Sequence, residues 1–234
     1  MTWNVKRELA PLAIIAMTVG LALIVGPGLP DVVPSHFDGN GIPDGTMSRT
    51  AFLLVIPGIV IGLYLFLTFI PFIDPLWQKI RPRYTVLLLF RDFTMGFLLM
   101  MFIMNLIAVR EGHLSITALG VGLGILFILI GNYLPKTPRN WFFGIRTPWT
   151  MSSDEVWKRS HIVGGWCFVG AGGLLIALSF TGLSLQVMMA VVLGPTVVFT
   201  GWLYPYLLFR KLQGSSHAGE DPATGGDAHD VQAQ

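Results

Sequence analysis

Six windows of mostly apolar residues, near 9–28, 51–73, 93–109, 114–134, 162–183 and 187–209, are separated by short polar segments. A helix rising 1.5 Å per residue needs about 20 such residues to cross the hydrocarbon core of a bilayer. The pattern therefore predicts an all-α, polytopic integral membrane protein of about six transmembrane helices. Residues 1–212 read as a single membrane domain, with an outer loop at 29–50 and an inner loop at 135–160. Residues 213–234 carry Gly, Ala, Asp, Ser and His with hardly any large apolar side chain to bury, and read as a disordered polar tail.

Two windows need a decision. In the third, apolar character begins at Tyr84, breaks at Arg91-Asp92 and resumes at Phe93. Residues 76–91 are accordingly expected to lie at the interface, with Arg91 and Asp92 as a local ion pair there. In the first, Lys6 and Arg7 precede an apolar run, as in a signal peptide. The run is long for such a segment, ends in Gly26-Pro27-Gly28 without an Ala-x-Ala-like site and is followed by further spans, so it is expected to be a membrane helix.

Charge orients the bundle. With the N-terminus inside, 13 of the 15 Lys and Arg residues fall on the inner side, leaving Arg49 and Arg110 outside. The positive-inside rule then predicts both termini in the cytoplasm. All seven tryptophans (3, 77, 141, 149, 157, 166 and 202) fall in inner segments or inner half-spans, as an interfacial belt.

Composition agrees: 53% of residues are hydrophobic and 12% charged, where a soluble domain carries about a quarter charged residues. The net charge of +2, without a dense basic run, offers no footprint for direct nucleic-acid binding. Cys167 is the single cysteine, which excludes an intramolecular disulfide and a Cys-based metal site. Glycines at 120, 122 and 124 and at 164, 165, 170, 172 and 173 suit close helix packing, and Pro57, Pro195 and Pro205 suit kinks.

The outer loop, residues 29–45, places prolines and glycines beside Asp31, Asp38 and Asp44, which specifies tight turns. Asp38-Gly39-Asn40 invites a calcium reading, but the loop template then meets Ile42, Pro43 and Arg49 where it wants a ligand, a Gly and a Glu. No metal is assigned. Asp31, Pro34, His36, Asp38, Gly41 and Asp44 are the candidates for recognising an outer ligand on a turn-built surface.

The inner loop mixes cations, prolines and aromatics from Pro135 to Thr150. Ser152 and Glu155 have the spacing of a capping box opening a helix toward the fifth span, with Asp154–Lys158 and Glu155–Arg159 at i,i+4. The loop reads either as a collar lying among lipid headgroups or as a docking surface for a cytoplasmic partner.

The string Gly144-Ile145-Arg146-Thr147-Pro148-Trp149-Thr150, followed by Ser153-Asp154-Glu155-Val156-Trp157 and His161, resembles the signature of the SdpI family of bacterial membrane proteins. Pro30, Pro34-Ser35-His36-Phe37, Gly41 and Pro43-Asp44-Gly45 are similar to the uncharacterised domain that commonly precedes that signature. Relatives often carry a bulky aromatic after the outer Asp-Gly, where this chain has Thr46. The resemblance implies a multi-pass protein of the bacterial plasma membrane that gives immunity to a secreted toxic peptide and, on sensing it, holds a transcriptional repressor at the membrane. No cofactor is implied. The inner-face candidates are Asn132, Arg139, Asn140, Gly144, Arg146, Thr147, Trp149, Thr150, Glu155, Trp157 and His161.

Two other classes compete. A transporter or channel needs polar groups at mid-membrane, and Asn105, Asn132 and Gln186 all lie near span ends. An enzyme needs a convergent catalytic set, and Arg139, Arg146, Asp154, Glu155 and His161 show no Ser-His-Asp spacing, His-Glu-x-x-His or Gly-rich phosphate loop. The expectation is a non-enzymatic binding or signalling protein, with a small-molecule transporter as the alternative.

Overall fold

The computed structural model describes residues 5–217. Its elements in chain order are α1 (Val5–Val25), β1 (Val32–Phe37), β2 (Pro43–Ser48), α2 (Arg49–Phe69), α3 (Trp77–Ile80), α4 (Tyr84–Glu111), α5 (Ile116–Tyr133), α6 (Pro148–Ser152), α7 (Asp154–Leu178), α8 (Leu185–Val198) and α9 (Tyr204–His217). Six helical segments are long and apolar enough to cross a membrane: Lys6–Gly28, Arg49–Ile73, Trp77–Glu111, Ile116–Lys136, Asp154–Leu178 and Leu185–Gly214. Among the described residues the protein is an all-α membrane bundle bearing one small β-hairpin. Trp3 and most of the expected disordered tail lie outside the described residues, and α9 continues into the tail's first positions as far as His217.

The third span departs from the expected one. α4 is a single helix of 28 residues running straight through Arg91 and Asp92. Hydrogen bonding in a helix is a backbone property, so two charged side chains do not interrupt it once their partners are supplied by other helices. The sixth span is also continuous, with α8 and α9 joined by a π-helical turn at Phe199–Leu203. Pro195 and Pro205 flank that turn, and each removes an N–H from the ladder.

α5 and α7 form the closest helix pair. A Cβ on Gly124 would stand 2.6 Å from the Gly172 carbonyl, and one on Gly131 would stand 2.7 Å from the Gly165 carbonyl. The two contacts recur seven residues apart on both antiparallel helices, making a small-residue seam that brings backbones together where lipid offers no hydrophobic drive. α1, α2 and α4 pack on one another beside this pair.

The outer loop is a hairpin, in which Val32 pairs with Ser48, Val33 with Met47 and Pro34 with Thr46 before the register shifts around His36. Val33 is fully buried in a cluster with Ala22, Leu29, Phe52, Phe102 and Leu106. The hairpin is thus anchored on α1, α2 and α4 through an apolar side chain, which tight turns alone would not require.

Candidate functional site

At the hairpin end, backbone groups do the tying. The Gly41 carbonyl accepts from Leu114 N at 2.8 Å, and the Gly39 carbonyl accepts from Leu185 N at 2.7 Å. One strand turn therefore clasps both the α4–α5 and the α7–α8 connections. Gly41 has φ +85°, and a Cβ there would lie 2.1 Å from the Leu114 carbonyl, so glycine serves both the left-handed backbone and the close approach. A Cβ at Gly39 would meet the Gln186 side chain.

The turn itself is built by Asp38, whose Oδ1 accepts from Asn40 N at 2.8 Å and Ile42 N at 2.9 Å. The Ile42 amide, and after it the Asn40 amide, hold the Asp38 carboxyl below its ordinary value of 3.8. Asp31 pairs with Arg49 at 3.0 Å, and Arg49 also donates to the Leu29 carbonyl. His36 and Asp44 pair across the strands, both well exposed at 75% and 47%. Pro34 sits half-buried opposite Thr46. The six outer candidates therefore share one hairpin, with Asp38 and Gly41 structural and His36, Asp44 and Asp31 presented outward. No group of three or more His, Cys, Asp or Glu residues that could hold a metal occurs among the described residues.

At the other end, the loop between α5 and α7 is organised around two buried polar side chains. Asn140 is fully buried and uses all four of its hydrogen-bonding positions. Its Nδ2 donates to the Pro138 and Phe143 carbonyls at 2.8 and 3.0 Å, and its Oδ1 accepts from Phe142 N and Phe143 N at 2.8 and 2.6 Å. His161, on α7 and also fully buried, accepts from Ile145 N through Nε2 at 3.1 Å, and its Nδ1 lies 2.8 Å from the Trp157 carbonyl. An amide can only donate, so Nε2 carries the lone pair and Nδ1 the hydrogen. Gly144, with φ +98°, passes so close that a Cβ would lie 2.3 Å from His161 Nε2.

Thr147 caps α6, its side chain accepting from Thr150 N while Thr150 Oγ1 accepts from Thr147 N. The reciprocal capping box therefore belongs to Thr147 and Thr150. The expected Ser152–Glu155 box does not form, because Ser152 closes α6 and Ser153 caps α7 by accepting from Val156 N. Asp154 does not pair with Lys158: its two oxygens meet Lys79 at 2.7 Å and Arg139 at 2.9 Å, tying α3 and the loop to α7. Glu155 does pair with Arg159. Trp157 is a core residue here and no part of an interfacial belt, with Nε1 donating to the Thr137 carbonyl at 2.9 Å and its ring stacked on His161.

The outward part of this end is aromatic and cationic. Arg146 is exposed and donates to the Trp141 carbonyl, and Trp141 is itself 52% exposed. Trp149 packs against Trp202 and Tyr206 at ring-centre distances of 5.7 and 5.3 Å. Asn132 stands apart, exposed, with its side-chain amide donating to the Ile128 carbonyl on its own helix.

Two further groups of residues lie outside the candidate sites. Asp74 is buried and bridges Leu76 N and Trp141 N at 2.7 Å each, joining the α2–α3 connection to the loop. Its signal is the Asp-Pro pair, which favours a turn with the carboxylate accepting two residues on. The second group surrounds Arg91, which makes the expected local pair with Asp92 but is fully buried among other helices. Arg91 Nη1 meets Glu8 Oε2 at 3.0 Å and Thr68 Oγ1 at 2.8 Å, and Nε meets Asp92 at 2.9 Å. Tyr64 donates to Glu8, and its ring lies under the guanidinium. Glu8 is the one carboxylate of α1, standing between Lys6-Arg7 and the apolar run, and that position is its signal.

Comparison with known proteins falls on the same two ends. Residues 13–61, which hold the hairpin, match a domain of unknown function, DUF1648. Residues 136–206, which hold the loop, match the SdpI/YfhL protein family. The immunity protein SdpI of Bacillus subtilis (strain 168) is 26% identical over 212 residues, covering 90% of this chain and 99% of that one. No solved structure matches. With a DUF1648 match leading into an SdpI/YfhL match, similarity to an immunity protein over nearly its whole length, and six helices long and apolar enough to cross a membrane, the chain is an SdpI-like multi-pass bacterial membrane protein.

Proposed function

We propose that this chain is an immunity protein, protecting a bacterium against a secreted antimicrobial peptide. In this reading the hairpin end faces outward and meets the peptide, and the loop end faces the cytoplasm and docks a partner such as a transcriptional repressor. The observation that carries it is the double clasp at Gly39 and Gly41, through which one element touches the connections between four other helices. A ligand with different affinity for two arrangements of that clasp would bias the bundle as a whole. Orientation by the positive-inside rule, and similarity over nearly the whole length of an immunity protein, support the same reading.

The partner surface is assigned to exposed Trp141 and Arg146 with Trp149, held by the Asn140 and His161 networks behind them. The reading is non-enzymatic: His161, the histidine a catalytic scheme would use, has both ring nitrogens occupied by backbone groups. One observation favours the alternative of a transporter, the buried Glu8–Arg91–Asp92 set, since ionisable groups inside a bundle often line a pathway.

The test is survival of a sensitive bacterium expressing the wild type, Arg146→Ala with Trp149→Ala, or Arg91→Gln. The challenge is a peptide encoded beside the gene, with membrane abundance measured in parallel. Immunity with partner docking predicts protection by wild type and loss of repressor retention at the membrane in the Arg146/Trp149 variant. Unprotected cells despite abundant wild-type protein, with peptide-independent solute uptake abolished by Arg91→Gln, would favour transport.

A further inference from the structure

We propose that the seam between α4 and α5 holds one anionic phospholipid, its phosphate in a basic cleft at the loop end and an acyl chain in the apolar groove below. The cleft, about 660 Å³, lies between the start of α4, the end of α5 and the start of α7. Arg83, Lys136, Arg139 and Lys158 line it against a single carboxylate, Asp154. Asp154 is already met by both Lys79 and Arg139, so it leaves the other cations unmatched. The side chains of Arg83 and Lys158 make no hydrogen bond or ion pair among the described residues, and Lys136 rests 4.5 Å above the Tyr133 ring. Charge of one sign, concentrated in a cleft with Val86, Pro138 and Trp157 as low-dielectric walls, selects an anion.

The second cavity identifies which anion. An apolar groove of about 250 Å³ runs along the same two helices, lined by Phe93, Phe97 and Met100 of α4 and Gly122, Ile125 and Leu129 of α5. Val86, Phe93, Phe97 and Met100 recur at helical spacing on one face of α4, as do Leu129 and Tyr133 on α5, with Lys136 in the 3-10 turn that continues it. The two cavities therefore follow one seam, and the Phe93–Tyr133 ring pair, 5.5 Å between centres, lies along it between the groove and the cleft. From Arg83 to Met100 α4 rises about 25 Å, close to the depth of one leaflet with its headgroups. A soluble anion would use only the cleft, and a docked protein would not reach the groove. Asp92 at the groove's edge repels a phosphate, which sets the headgroup in the cleft above it. Nothing in this depends on the immunity reading or on which leaflet the loop end occupies.

The experiment is native mass spectrometry of the full chain, released from a zwitterionic detergent with equimolar phosphatidylglycerol and phosphatidylcholine of identical chains. The wild type is expected to retain phosphatidylglycerol about tenfold over phosphatidylcholine, since two or more basic side chains act on the headgroup. Arg83→Gln with Lys158→Gln should abolish that preference, and Ile125→Trp, which fills the groove, should lower retention of both lipids. Equal retention of the two lipids by the wild type overturns the proposal, as does displacement of phosphatidylglycerol by millimolar inorganic phosphate, the mark of a soluble-anion site. Unchanged preference in the charge variant also overturns it. Should that variant melt early, Arg83→Lys with Lys158→Arg must keep the preference, and its loss there would count against the site.

Discussion

At the hairpin end the fold is tied through main-chain carbonyls of Gly39 and Gly41, whereas at the loop end the connection is held in shape and fixed to its surroundings by the buried side chains of Asn140, His161 and Asp74. The difference decides what each end tolerates. A backbone clasp needs the absence of a Cβ at two positions and is indifferent to the polar side chains displayed around it. A side-chain network needs particular atoms at particular places, and losing one leaves buried donors and acceptors unpaired. The hairpin can therefore vary its outward chemistry while keeping its shape, which suits the face assigned to ligand recognition. The loop keeps its interior chemistry in order to hold an aromatic and cationic exterior.

The largest expected effect tests the loop half of that contrast. Asn140→Ala would unpair two amides and two carbonyls in a buried site, costing about 3–5 kcal/mol, and should appear as a large fall in the thermal midpoint of the solubilised protein. A small fall would mean that water replaces the side chain and that the loop is not held from within.

Gly41→Ala comes next, at about 2–4 kcal/mol, from the left-handed backbone and the collision with the Leu114 carbonyl. Hydrogen exchange should then rise at Leu114 as the clasp opens, while the Phe142 and Phe143 amides stay protected. Faster exchange at both ends together would show that the two regions form one cooperative unit and dissolve the distinction.

Much less is expected of the displayed residues. His36→Ala or Asp44→Ala removes an exposed pair and should change stability by less than about 1 kcal/mol, measured by the same melting curves. A loss of peptide protection at unchanged stability would place ligand recognition on those side chains.

The smallest effect concerns pH. Because the folded-state pKa of Asp38 is depressed below 3.8, its contribution is complete above that value and disappears as pH falls through the lower folded-state pKa. Exchange at Asn40 and Ile42 should accelerate only in that acid range, and Asp38→Asn should remove the pH dependence.

Much of the architecture was legible beforehand, and the reason is the solvent. In hydrocarbon a chain must satisfy its backbone internally, so six apolar runs already imply six helices. The glycines of the fourth and fifth windows announced the α5–α7 seam for a related reason, since small residues are what packing in lipid requires. The structure brings most of the inner candidates to one loop, but the part each plays in holding that loop was not legible in the sequence. Thr150, Trp157 and His161 are buried supports, Gly144 and Thr147 shape the backbone beside them, and Arg139 is committed to Asp154 and the Met151 carbonyl. Glu8 and Arg91 stand 83 positions apart, and no local pattern links them.

By itself, then, the sequence determined the number of spans, the all-helical class and the two segments that bear the family's signatures, because these follow from local composition and the cost of exposing polar backbone to lipid. Only the tertiary structure decided that Arg91 lies within the bundle, that the outer loop is a hairpin clasping two distant turns, and which Ser or Thr caps which helix. Each of those depends on where a partner from another helix arrives, and a hydrogen bond or ion pair has an energy only once both of its groups are in place.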